Sequence, residues 1–149
     1  MKKYFVTVLA ALLLGAVCTW AQPRAIGLRT AGMLSYEHTF GGANFLQADL
    51  GLTYDGILAH GVFNWMLFED LADVTNLNLY AGPGVFIGAA EQHFAIGLTA
   101  QVGVEYYFDA IPLQLSLDIR PGFGFNGSQF WANGVLYGLI PSLGIRYLF

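Results

Sequence analysis

The chain has 149 residues, of which 56% are hydrophobic, 15% aromatic and only 11% charged, with six basic residues against ten acidic ones and a net charge of −4. The basic residues Lys2, Lys3, Arg24, Arg29, Arg120 and Arg146 are too few and too scattered for the cationic footprint that displaces counterions from phosphates, so nucleic-acid binding is excluded. Polybasic attachment to anionic lipid is excluded on the same ground.

The beginning of the chain reads as a leader. Lys2 and Lys3 precede an apolar run over 4–17, and Thr19 and Ala21 are small residues at the −3 and −1 positions of a cleavage site after Ala21. The run falls short of the roughly 18 apolar residues that a spanning helix needs. Residues 1–21 are therefore expected to be a signal peptide and 22–149 one domain. Cleavage would leave four arginines against ten acids, a net charge of 4 − 10 = −6, and no lysine. Cys18, the one cysteine, falls in the discarded segment, and Gly15-Ala16-Val17 before it does not resemble a lipoprotein acylation motif. The remaining chain then has no thiol for a disulfide or for a cysteine-ligated metal.

After Ala21 the apolar residues follow a period of two, and no stretch is long and apolar enough for a membrane helix. Residues 24–40 are expected to supply two strands turning near 29–32, although Ile26, Leu28, Leu34 and Tyr36 share a parity that one long strand would also give. Further on, Leu46, Ala48, Leu50, Leu52 and Tyr54 oppose Phe45, Gln47, Asp49, Gly51 and Thr53. Over 57–68, His60 and Asn64 share the face opposite Ala59, Phe63, Trp65 and Leu67. Leu77, Leu79, Ala81, Pro83, Val85 and Ile87 oppose Asn78, Tyr80, Gly82, Gly84, Phe86 and Gly88. The alternation is unbroken over 93–108 and resumes at Leu113, Leu115, Leu117 and Ile119 against Gln114, Ser116, Asp118 and Arg120. Breakers separate the segments: Gly41-Gly42, Asp55-Gly56, the acidic stretch 69–76, Glu91-Gln92, 109–112 and 126–134.

The character of the two faces selects the fold. A soluble sandwich carries charge on its outer face, but here the polar face is mostly Gly, Ser, Thr and Gln, too sparse to solubilise a sheet. Large aliphatics flanked by aromatics fit an outward, lipid-facing band. The expected fold is all-β: a closed, antiparallel, up-and-down transmembrane β-barrel of eight strands. By parity the inward set contains Arg29, Arg120 and Arg146 against Glu37, Asp49, Glu105 and Asp118. These charges are expected to pair across the lumen and plug it, because an isolated buried ion costs several kcal/mol. Asp118 or Glu105 is the expected partner of Arg120.

The chain ends Leu143-Gly144-Ile145-Arg146-Tyr147-Leu148-Phe149, with alternate apolar residues Leu143, Ile145, Tyr147 and a terminal aromatic, Phe149. Together with the alternating segments 103–108 and 111–118, this ending resembles the small OmpA/OmpX-type barrels of bacterial outer membranes over about residues 24–149. The resemblance implies an outer-membrane location with outer-membrane lipids as partners. It also implies that periplasmic chaperones and the barrel-assembly machinery read Leu143, Ile145, Tyr147 and Phe149. Turns 39–43, 69–76 and 109–112 would face the periplasm, and 55–56, 89–92 and 125–134 the outside.

Catalytic and metal chemistry find little support in the residues. His38 falls in a girdle of aromatics, His60 on an inward face and His93 at a strand start, and none has a serine two residues away. No histidines have metal-ligand spacing, and Glu69-Asp70 with Asp73 lacks the spaced ligands of a calcium loop. Gly82-Pro83-Gly84 has no following Lys-Ser/Thr and lies inside a strand, so it is read as relief of crowding. Phe125, Phe130 and Trp131 read as an interfacial anchor, with 125–134 the segment for extracellular contact. No catalytic residue, metal or cofactor is expected, and the expected role is structural or surface interaction. A narrow porin-like channel and a lipid-modifying enzyme are the alternatives.

Overall fold

Alternation places every second side chain on one face, and closing a sheet turns one of its faces into an interior. The computed structural model describes residues 24–53, 56–90, 93–127, 129–131 and 138–149. The leader read at 1–21 and part of 125–134 lie outside them. The strands are β1 (Arg24–Arg29), β2 (Met33–Thr39), β3 (Asn44–Thr53), β4 (Gly56–Phe68), β5 (Leu77–Ala90) and β6 (His93–Tyr107). β7 runs in two segments, Leu113–Ile119 and Gly122–Asn126, both paired with β6. β8 also has two, Gln129–Trp131 and Ser142–Leu148, both paired with β7. All neighbours are antiparallel, and β1 pairs with β8 to close the cylinder. The described residues contain no α-helix, only the short 3-10 turns Thr30–Gly32 and Leu71–Asp73.

The shared parity within 24–40 belongs to a hairpin. Residues opposite each other in an antiparallel pair point to the same side, and here Leu28 faces Leu34 and Ile26 faces Tyr36. Both arms therefore present even-numbered residues outward. The turn between them closes on Gly32 at φ 71°, a left-handed conformation that glycine adopts without a Cβ penalty. At β7 the chain breaks at Arg120-Pro121, yet the Ala100 N–H still donates to the Pro121 carbonyl at 3.0 Å, so the two segments continue one wall.

The pairing register fixes the shape. From Gly27, successive partners lead through Ser35, Asp49, His60 and Phe86 to Gly97 on β6. In the other direction they lead through Arg146 and Gln114 to Tyr107, also on β6. The stagger on closure is thus 107 − 97 = 10 residues, which tilts the strands to the axis as closed barrels require. One end of the cylinder, called the lower end below, carries Arg24, Phe149 and the turns 40–43, 69–76 and 108–112. The Arg24 and Phe149 backbones bond each other there at 2.8 and 3.2 Å.

The interior of so narrow a barrel is filled by its side chains, and glycines make the room. A Cβ on Gly103 would lie 2.7 Å from the Tyr80 hydroxyl oxygen and 2.8 Å from the Leu117 carbonyl, whereas a Cβ on Gly61, on the outer face, would meet nothing within 4 Å. Gly103→Ala is therefore expected to destabilise the barrel by about 1–3 kcal/mol through overpacking. Gly61→Ala should change stability little, and denaturant unfolding of the two variants checks the contrast.

Candidate functional site

Polar residues of the inward face have no water to turn to and must satisfy one another. Among the described residues the buried side chains are mostly polar or charged, the apolar exceptions being Ala25, Phe45, Val62, Tyr80 and Phe86. The structure places all seven charges singled out in the sequence inside the barrel, and it divides them into two clusters.

The upper cluster contains Arg29 of β1, Asp49 of β3, and Asp118 and Arg120 of β7. Arg29 lies 2.6 Å from Asp118 and 3.6 Å from Asp49. Arg120 pairs with Asp49 and sits 3.4 Å from Asp118. Each guanidinium thus touches both carboxylates, giving a charge-balanced square, and the Tyr80 hydroxyl donates to Asp118 at 3.1 Å. Glu105 is not a partner of Arg120. The register sets Asp118 opposite Gly103 and Glu105 opposite Ser116, which places Glu105 two positions lower.

The lower cluster holds Glu37 of β2, Glu105 of β6, Gln114 of β7 and Arg146 of β8. Arg146 lies 3.4 Å from Glu37 and donates to the hydroxyls of Ser35 at 2.9 Å and Ser116 at 3.1 Å. The Gln114 amide donates to Glu105 at 2.7 Å and to Glu37 at 3.2 Å, and the Tyr107 hydroxyl donates to Glu105 at 2.7 Å. Of the two carboxyl groups here, Glu37 is the one in contact with the guanidinium. Glu105 accepts from two neutral donors, the Gln114 amide and the Tyr107 hydroxyl.

Neutral amides join the clusters. Gln47 donates to Asp49 at 3.2 Å, Gln101 donates to Gln47 at 3.1 Å, and Asn64 donates to Gln101 at 3.3 Å. Phe45 packs edge-on to Tyr80 with ring centroids 5.2 Å apart. Parity alone puts the seven charges on the inward face. Gln47, Asn64, Tyr80, Gln101 and Gln114 stood on the same faces, and that parity was the signal that marks them as members of one network.

The other sequence candidates fall elsewhere. Leu143, Ile145 and Tyr147 lie on the outer face of β8 and, like Phe149 just after it, are exposed. His38 belongs to an outer row of rings, Tyr36, His38, Phe40, Phe63 and Trp65, with successive centroids 4.8 to 6.5 Å apart. The His60 ring lies 5.9 Å from that of Phe86. The His93, Phe130 and Trp131 side chains are outside the described ones. Among the described residues no three His, Cys, Asp or Glu side chains are grouped to hold a metal. At the lower mouth a pocket of about 520 Å³ opens between Thr39, Gly42, Phe45, Met66, Tyr107, Leu148 and Phe149. Compared with protein-family models, with curated proteins and with solved structures, the chain matches none.

Removing one member of a buried ion pair leaves its partner uncompensated and costs about 3–5 kcal/mol. Arg120→Ala, which strips Asp49 of a contact, and Glu37→Gln, which leaves Arg146 without a carboxylate, are expected to destabilise the barrel by that order. Glu105→Gln alters a carboxyl that no guanidinium contacts and should cost less than Glu37→Gln. Equilibrium unfolding of the three variants tests the ranking.

Proposed function

We propose that the chain is a membrane-spanning barrel of a bacterial outer membrane, plugged by its own side chains, with a structural or surface-interaction role and no catalysis. The observation that carries this reading is the inverted polarity of the sheet. Ile26, Leu50, Val85, Leu98, Val102 and Ile145 point outward and are each at least 43% exposed, while Gln47, Asn64, Gln101, Gln114 and Arg146 inside are at most 1% exposed. In water such an outer surface would forgo about 25 cal/mol for every Å² of apolar area left unburied, whereas lipid accepts it. Rows of rings at the lower end, including Tyr106 and Phe108 at 5.0 Å, suit a membrane interface.

The leader read at 1–21 would carry the chain out of the cytoplasm. The outward residues Leu143, Ile145, Tyr147 and Phe149 would then serve recognition by periplasmic chaperones and the assembly machinery. The lower end would face the periplasm, leaving 125–134 outside for contact with a partner. A solute channel is disfavoured by the amide and ion contacts that cross the lumen from β3 to β6 and from β1 to β7.

Expression and fractionation test the reading. The protein should sediment with outer membranes and migrate differently on gels before and after boiling; recovery in the soluble fraction with one mobility would sink it. Within a bilayer, Val102→Arg should lower stability by about 2–4 kcal/mol, the range for a cation at the midplane of a barrel's lipid face. Wild-type protein in planar bilayers should show no steady conductance, and a reproducible open channel would overturn the plug.

A further inference from the structure

The lower cluster holds more carboxyl groups than cations, and its geometry shows which carboxyl is left over. Glu37 and Glu105 are 2% and 1% exposed, so neither reaches water. The amide nitrogen of Gln114 lies 3.2 Å from the first and 2.7 Å from the second and ties the two together from β7. Arg146 contacts Glu37 at 3.4 Å and directs its other printed bonds to the hydroxyls of Ser35 and Ser116. The groups bonded to Glu105, the Gln114 amide and the Tyr107 hydroxyl, are both uncharged. Its register partners, Asn78 on β5 and Ser116 on β7, are neutral as well. Higher in the lumen, Arg29 and Arg120 are taken up by Asp49 and Asp118. Arg24, at the lower end, shares the outward parity of Ile26 and Leu28.

A carboxylate buried without a cation, and beside a second carboxylate, is unfavourable enough that one of the two holds a proton instead. We propose that the lower cluster is a proton-binding site: at neutral pH Glu105 carries a proton, Glu37 is ionised against Arg146, and the cluster as a whole is neutral. A glutamic acid side chain in an unfolded chain is ionised at neutral pH, so folding takes this proton up from solution. Tyr107 joins the site to the lower mouth, since its hydroxyl is bonded to Glu105 and the residue lines the pocket that opens there. The site belongs to the folded barrel and does not rest on its location in a membrane, so it is tested on the whole purified chain in detergent.

Infrared spectroscopy reads the proton directly, in a detergent that has no carbonyl group of its own. The carbonyl stretch of a protonated carboxyl lies apart from the carboxylate bands and shifts on transfer to deuterium oxide. The wild type at neutral pH should show this band, and Glu105→Gln should lack it. On refolding into weakly buffered detergent, the wild type should take up about one proton more per chain than Glu105→Gln. Gln114→Lys sets a second cation between the two carboxyl groups, so the band should vanish there with Glu105 still present. Circular dichroism and gel mobility before and after boiling verify that each variant is folded. A wild-type spectrum without the band, or a band that survives in folded Glu105→Gln or in folded Gln114→Lys, would overturn the proposal. If one variant does not fold, the other still decides whether the band belongs to this cluster.

Discussion

A charge that points into a closed eight-stranded sheet has no route to water, and the architecture of this protein follows from that constraint. Arg29, Asp49, Asp118 and Arg120 meet in the lumen from three strands distant in sequence, and each cation contacts both anions. Such buried pairs are not a large source of stability, since apolar residues of the same volume often do as well. What they supply is discrimination. A one-residue slip of β1 would carry Arg29 to the outer face and leave Asp118 without its 2.6 Å partner. The outer face, where aliphatic neighbours are nearly interchangeable, could not resist such a slip alone.

The faces were legible in the sequence because a strand's period of two is rigid. Phe45, Gln47 and Asp49 are buried while Leu46 and Leu50 are exposed, as their alternation requires. The hairpin of 24–40 was harder, since its two arms and one long strand share a parity. Only the turn at Thr30–Gly32 separates the two readings. Which charges meet was not legible at all. Lateral neighbours depend on the ten-residue stagger, a property of closure that no single segment encodes. Glu105 looked as available to Arg120 as Asp118 did, yet the register lowers it to the level of Ser116, among Gln114, Tyr107 and Glu37.

The two faces are one design seen from opposite sides. Apart from Arg24, the described charges within strands lie in the two interior clusters, which is why the outer surface can be as apolar as it is. The interior accommodates Tyr80, Phe86 and the long arginines only because glycines stand opposite them. A Cβ on Gly97 would lie 2.5 Å from the Phe86 ring, and one on Gly144 would lie 2.5 Å from the Ser116 hydroxyl. Glycines in strands usually weaken a sheet. Here they mark the places where bulk was moved to the neighbouring strand.

The clusters differ in a way that bears on exchange with the surroundings. The upper one contains two cations and two anions in mutual contact, so it presents no net field. The lower one has two carboxyl groups to one guanidinium and reaches Tyr107, a residue that lines the pocket at the barrel mouth. The cluster whose carboxyl groups outnumber its guanidinium and the opening thus fall at the same end of the molecule, whereas the balanced square above is enclosed by the wall on every side.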